Sequence, residues 1–210
     1  MSRCDLRPVE CNAPPRVDDL FNLFWIDFSL NFLKSHNIQC IPHQLVEDCW
    51  FTYQVIISAK SCQLISDQTL YYTINPESTT SKIKTQGYSM KLSISYAEIE
   101  KTKRAYIAHL RAHSIYPCLL FDTMFMGLYH AYRILCVDNK MEKQERKKLA
   151  CSLLTRNFQL PNRIICSTSY LRFLAIYIFY SLPITIKINL VNLAIKFKIK
   201  DILQKWFHFN

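Results

Sequence analysis

The sequence predicts an α+β fold, with an N-terminal helix, a small antiparallel sheet of about four strands, and a helical half that ends in a basic, apolar-rich C-terminal segment. Three observations support this prediction. Apolar residues recur at helical spacing before residue 36, short β-branched and aromatic runs follow between residues 50 and 94, and longer apolar or amphipathic stretches fill the remainder. We therefore divide the chain into a polar tail (1–16), an α+β core (17–137) and a basic C-terminal region (138–210).

The first helix is expected to begin after the proline pair at 14–15, with Asp18 or Asp19 as its cap, and to end near His36. Five apolar side chains at spacings of three and four support this helix: Val17, Phe21, Phe24, Phe28 and Phe32. Because one face of the helix is apolar, we interpret this stripe as part of the core.

Four strands are predicted from residue type and periodicity. Residues 51–57, 63–65 and 70–74 are rich in β-branched and aromatic side chains, and polar residues separate the three runs. Residues 75–86, with one proline and five Ser or Thr residues, are typical of a loop. After this loop the apolar side chains alternate with polar ones, which predicts the fourth strand: Met90, Leu92 and Ile94.

Two helices are expected directly after the sheet. Ser95 and Glu98 have the spacing of a capping box, so a helix is predicted from Ser95 to about residue 114. Residues 118–137 are apolar nearly all round, which is typical of a buried central helix rather than of a surface helix.

The composition excludes the familiar catalytic loops. Phosphate-binding loops and nucleophile elbows need several glycines, and this chain has only Gly87 and Gly127. Cys166 and Arg172 have the Cys-x5-Arg spacing that resembles the phosphate loop of cysteine phosphatases, but no glycine lies between them. We therefore predict a protein without enzymatic activity.

The cysteines predict reduced thiols. Their number, nine, is odd, and no Cys-x-x-Cys pair occurs, so we expect a cytosolic or nuclear protein without a disulfide framework. We predict no cofactor, with zinc as the alternative, because two imidazoles and two thiols are sufficient for tetrahedral zinc. The candidate ligands lie close together in the sequence: His36, Cys40, His43 and Cys49. The other interpretation places both cysteines in the core.

The positive charge lies almost entirely in the last third of the chain. Residues 1–139 contain 13 Lys or Arg and 13 Asp or Glu, whereas residues 140–210 contain 13 and 3, which gives the net charge of +10. A basic amphipathic helix is expected to begin at Asp138 or Asn139 and to run to about Arg156, with leucines facing the core and lysines facing water. Such asymmetry indicates a polyanion or an anionic membrane as partner.

We predict an accessory protein that binds nucleic acid, with RNA favoured, through phosphate contacts and aromatic stacking. The expected binding residues are Lys140, Lys143, Arg146, Lys147, Lys148, Lys196, Lys198, Lys200 and Trp206. One alternative is a peripheral or membrane-inserted protein that uses residues 164–209, and another is a subunit that buries this tail against a protein partner. A basic face that only keeps the protein soluble is the plainest interpretation.

The apolar stretch at 164–186 is short for a membrane span. Between Arg172 and Lys187 there are 14 uncharged residues. As a helix they would reach about 21 Å, whereas the hydrocarbon core is roughly 30 Å thick, and Pro183 interrupts them.

Overall fold

The computed structural model describes residues 29–42, 45–59, 77–78, 89–112, 115–136, 141–158 and 170–197. Within these ranges 78% of the residues are helical and none forms a strand. The helices are α1 (Leu30–Ser35), α2 (Glu47–Ser58), α3 (Met90–Ile107), α4 (Tyr116–Leu135), α5 (Lys143–Leu154), α6 (Tyr170–Ser181) and α7 (Ile184–Lys196), with a 3₁₀ turn at Ala108–Leu110 after α3.

The predicted antiparallel sheet, and with it the α+β class, is wrong for the described part of the chain. Residues 51–57, the first expected strand, lie inside α2, and the fourth expected strand forms the first turns of α3. The other two runs, 63–65 and 70–74, lie outside the described residues. In α2 the side chains of Trp50, Tyr53 and Gln54 are buried, at the three and four residue spacing of a helix.

The start of α3 also differs from the prediction. Ser89, not Ser95, is the N-cap, and its hydroxyl accepts a hydrogen bond of 3.2 Å from the backbone N–H of Leu92. Ser95 is buried six residues into the helix. The helix ends at Ile107, and the 3₁₀ turn that follows extends to Leu110.

Only the end of the expected N-terminal helix is described. Residues 17–28 lie outside the described residues, and α1 covers Leu30–Ser35 with His36 as its C-cap, as expected for the end of the helix. Phe32 is half-buried, and α1 has no fully buried residue. For this part of the stripe, the expected burial in the core is therefore only partial.

The prediction of a buried central helix is confirmed by α4. It packs against α3, α5, α6 and α7, and 13 of its 20 residues are buried. Pro117 lies in its first turn, where its missing N–H has no helical partner to lose. The core joins α4 to side chains of α2, α3, α5, α6 and α7, so it includes residues from both sides of position 137.

The apolar C-terminal stretch forms two short helices. Helix α6 ends at Ser181, and Pro183 is the N-cap of α7. Proline cannot continue the hydrogen-bond pattern of the preceding helix, so the chain turns here. None of the described helices combines the length and the apolar character needed to cross a bilayer.

Candidate functional site

The basic amphipathic helix of the prediction is confirmed as α5. It begins at Lys143 with Glu142 as N-cap, a few residues later than expected. Its apolar side faces the core through Ala150, Leu153 and Leu154, which are fully buried. The opposite side is exposed to solvent, and we call its three exposed lysines the basic face: Lys143, Lys147 and Lys148.

The ammonium groups of the basic face are free of protein partners within the described part of the chain. None of the three forms an ion pair or a hydrogen bond with another described side chain. Glu145 is exposed on the same helix without pairing to them. Because α5 packs against α4, the three positive charges lie on a helix that is part of the core structure.

Arg146 has a structural role that the sequence did not suggest. It is half-buried, and its Nη1 donates a 2.8 Å hydrogen bond to the carbonyl oxygen of Cys136 at the end of α4. This bond links α5 to the C-terminal end of α4. Among the five expected nucleic-acid residues that the structure describes, Arg146 is therefore the least available to a phosphate.

The remaining expected binding residues are only partly described. Lys196 is exposed in the last turn of α7. Four further residues lie outside the described part of the chain: Lys140, Lys198, Lys200 and Trp206. Helix α5 therefore carries four of the nine expected residues, and three of these four are exposed.

The expected zinc ligands do not form a cluster within the described residues, where no group of three metal-binding side chains occurs. The Nδ1 of His36 lies 3.0 Å from the carbonyl oxygen of Phe32 and 3.1 Å from the Ser35 hydroxyl. Burial, followed by the charge of Asp48, raises the pKa of Cys49 to about 12, which disfavours a thiolate. His43 lies outside the described residues, so the zinc site stays a prediction.

A buried ionic cluster lies between α3 and α4. The Lys103 ammonium is 3.0 Å from Glu100 Oε1 and 3.9 Å from Asp122 Oδ2, and it lies 5.0 Å from the centre of the Tyr53 ring. Burial raises the pKa of both carboxyl groups, and the nearby ammonium opposes that rise. One cation thus faces two carboxyl groups, so the cluster is suited to hold a proton.

This cluster was not predicted from the sequence, although the sequence contains a signal for it. Glu100 and Lys103 are three residues apart on a helix, and Asp122 is the single acidic residue in the apolar stretch 118–137. An acid in a fully buried helix requires a partner, and Lys103 supplies it.

Two buried cations cap the C-terminal end of α5. Arg104 Nη2 donates a 2.6 Å hydrogen bond to the Leu153 carbonyl, and Lys187 Nζ donates one of 2.6 Å to the Leu154 carbonyl. Tyr180 lies between them: its hydroxyl accepts from Arg104 at 3.3 Å, and its carbonyl accepts from Lys187 at 3.2 Å. The last carbonyls of a helix lack helical partners and carry partial negative charge, which explains why two cations are buried here.

An apolar surface is exposed on the two C-terminal helices. Among the described residues, nine large apolar side chains are exposed, and seven of them lie on α6, α7 or the residue that follows α7: Leu171, Ile178, Ile184, Ile186, Leu190, Leu193 and Phe197. The last four are spaced by four, three and four residues, so they share one face of α7. We call these four the apolar stripe.

Comparison with known proteins gives no relative: no family model, no curated protein and no solved structure matches this chain.

Proposed function

We propose that this protein is a non-enzymatic accessory protein that binds nucleic acid, with RNA favoured, through the basic face of α5. The observation that carries the proposal is the set of three exposed lysines without ion-pair partners among the described residues. A lysine that is already paired must give up its partner before it binds a phosphate. An unpaired lysine only releases the counterions of the nucleic acid.

The geometry of α5 suits contacts to successive phosphates. Lys143 and Lys147 are one turn apart on the same side of the helix, and Lys148 extends the positive charge around it. Glu145 lies two residues from both Lys143 and Lys147 and so points to a different side from them, whereas it is three residues before Lys148 and lies next to that lysine. The lysines span about 7.5 Å along the axis, which allows contact with more than one phosphate of the same strand. Such contacts neutralise charge without reading the base sequence.

The surrounding sequence favours an anionic ligand. From Arg146 to Lys200 the chain contains no Asp or Glu. A polyanion on the basic face therefore meets no carboxylate from residues 146–200, and the exposed carboxylates near it are those of Glu142 and Glu145 at the start of α5.

The test replaces the basic face by neutral side chains of similar length. We expect the Lys143→Gln/Lys147→Gln/Lys148→Gln variant to bind a labelled single-stranded RNA more weakly at all salt concentrations. The slope of log affinity against log salt concentration is negative, and each lost phosphate contact makes it less steep by about 0.7. Loss of three contacts makes it less steep by about 2. Fluorescence anisotropy over a salt series measures both quantities.

The matched control is Lys34→Gln/Lys91→Gln/Lys101→Gln, which removes three exposed lysines from α1 and α3 and changes the net charge equally. We expect this control to bind RNA nearly as the parent does. An equal loss in both triple variants would show general charge attraction, and it would contradict the assignment of α5. Absence of RNA binding by the parent would contradict the proposed function itself.

A further inference from the structure

The apolar stripe is exposed although the rest of α7 is well packed. Ile188 and Val191 are buried on the inner side, whereas Ile186, Leu190 and Leu193 are 44%, 42% and 50% exposed on the outer side. Contiguous exposed apolar patches on soluble proteins indicate a contact surface. We therefore expect the outer side of α7 to contact an apolar partner.

Helix α6 also has an exposed apolar face. Leu171 and Ile178 are exposed, and Ala175, four residues after Leu171, is exposed between them. Their spacing of four and three residues places them on one face of α6. The two helices are joined at Pro183, so these apolar faces belong to consecutive helices of the chain.

The charges around this surface indicate the chemistry of the partner. Arg156 is exposed and held beside α6, with Nη2 at 2.8 Å from the Tyr177 hydroxyl and Nη1 at 3.4 Å from the Ser181 hydroxyl. Lys196 is exposed at the far end of α7. No acidic residue occurs between positions 146 and 200, so a second copy of the chain would bring cations against cations. An anionic partner is favoured over self-association.

We propose that α6 and α7 dock on an anionic lipid surface, with the apolar stripe and the outer face of α6 inserted at the boundary between headgroups and acyl chains. Arg156 and Lys196 contact the lipid phosphates at the edge of this face. Interfacial helices of this kind bind through buried apolar area together with attraction to anionic lipids. The proposal does not depend on RNA binding by α5.

The lengths of the two helices fit a position in the interface. Helices α6 and α7 contain 12 and 13 residues. At 1.5 Å per residue they measure roughly 18 to 20 Å, well below the roughly 30 Å of the hydrocarbon core. The helices therefore lie along the surface.

Vesicle flotation tests the proposal on the full chain. The probes are phosphatidylcholine vesicles with and without about one quarter phosphatidylserine. We expect the parent to float with the anionic vesicles, and less so as salt is raised. The Leu190→Gln/Leu193→Gln variant removes two apolar side chains from the contact, and we expect its partition to fall by roughly tenfold or more.

The matched control is Leu30→Gln/Met90→Gln, which makes the same kind of change at two exposed positions of α1 and α3. We expect it to float like the parent. All four positions are exposed, so both variants retain the parental far-ultraviolet circular dichroism.

Three results would overturn the proposal. In the first, the stripe variant floats as well as the parent. In the second, the parent does not float with anionic vesicles, or it floats equally with neutral ones. In the third, the parent sediments as a dimer that the stripe variant abolishes, which would assign the stripe to a second copy of the chain.

Discussion

At the scale of single residues, Gly127 permits close packing of α4 against the side chains of Arg104 and Tyr180. A Cβ atom at this position would collide with Arg104 Nη2, would lie 2.8 Å from the Tyr180 hydroxyl, and would lie 3.4 Å from the Leu153 carbonyl. Neither polar group is free to move, because Arg104 donates to Leu153 and Tyr180 donates to the Met124 carbonyl at 2.9 Å. Gly127 is therefore needed for space rather than for backbone freedom.

We expect Gly127→Ala to destabilise the protein. Alanine in a helix gains about 1 kcal/mol over glycine, whereas overpacking a fixed core costs about 1–3 kcal/mol and breaks hydrogen bonds here as well. The expected net loss is about 1–2 kcal/mol in the free energy of unfolding, measured by urea denaturation. The control is Gln144→Ala on the exposed side of α5. A more stable Gly127→Ala variant would show that the side chains of Arg104 and Tyr180 can move aside.

At the scale of elements, the buried side chain of Lys187 connects the joint between α6 and α7 to the end of α5. Lys187 is 3% exposed, and burial, followed by the charges of Arg104 and Arg156, lowers its pKa. It nevertheless bonds two carbonyl oxygens, one at the end of α5 and one at Tyr180 in α6. This single ammonium fixes three helices relative to one another.

Replacing Lys187 by methionine tests that attachment. Methionine keeps most of the side-chain volume but donates no hydrogen bond, so the carbonyls of Leu154 and Tyr180 lose a buried partner. We expect a loss of about 1–3 kcal/mol in the free energy of unfolding, reduced in part because the buried charge is also removed. Lys196→Met, at an exposed position of the same helix, should change it by less than about 0.5 kcal/mol. Equal stability of the two variants would show that burying the ammonium cancels the benefit of its bonds.

Helices were predicted correctly where the buried face is marked by apolar residues. They were not predicted correctly where polar residues also lie on the buried face. In α4 and α5 the buried positions are largely apolar, and the sequence located both helices. In α3 the buried face includes Ser93, Glu100 and Lys103, so apolar residues alone do not show the helical period. The alternation of Met90, Leu92 and Ile94 then suggested a strand in its place.

The first expected strand failed for a different reason. Residues 51–57 contain several β-branched and aromatic side chains, and intrinsic preference favours a strand there. Tertiary packing outweighs that preference, because Trp50 and Tyr53 both enter the core cluster from one face of α2. The helical spacing is visible only when Trp50 is included, because Trp50, Tyr53 and Gln54 are three and four residues apart and are all buried.

Only the exposed residues of the candidate site could be predicted from the sequence. Charge asymmetry and amphipathic spacing located the lysines of α5, because exposed side chains follow from helical periodicity. The buried roles of Arg104, Arg146 and Lys187 depend on which carbonyl groups lie opposite them. Those pairings join residues up to 51 positions apart, and no local pattern contains them.

At the scale of the whole molecule, two buried carboxyl groups and one buried imidazole change stability with pH in opposite directions. Burial raises the pKa of Glu100 and Asp122, so their contribution is complete at low pH and is lost as pH rises through the raised values. Burial, with the charges of Lys103 and Arg133, lowers the pKa of His130 from 6.5 to about 3. The contribution of His130 is present above pH 6.5 and is lost as pH falls toward 3.

We therefore expect His130→Phe to change the dependence of the free energy of unfolding on pH at acid pH, and Asp122→Asn to change it at higher pH. In the parent, His130 contributes a loss of about 1.4 kcal/mol per pH unit on acidification below its ordinary pKa. Phenylalanine keeps a ring to stack on Tyr96, whose centroid is 4.0 Å from that of His130, but it does not titrate. In His130→Phe the free energy of unfolding should therefore fall less steeply as the pH is lowered. In Asp122→Asn it should fall less steeply as the pH is raised.

Denaturant titrations at a series of pH values measure both slopes, and the slopes stay informative even where a variant is less stable overall. Parallel profiles for the parent and His130→Phe would show that this imidazole does not titrate differently in the folded and unfolded states.

The exposed apolar side chains of α6 and α7 also affect how the solubility of the purified protein depends on salt. With a net charge of +10, neighbouring molecules repel one another, and this repulsion opposes contact between their apolar faces. The range of that repulsion falls from about 10 Å in 0.1 M salt to about 3 Å in 1 M salt. Solutions should therefore stay clear in dilute buffer and become turbid when salt is added, and a mild detergent that coats α6 and α7 should clear them again.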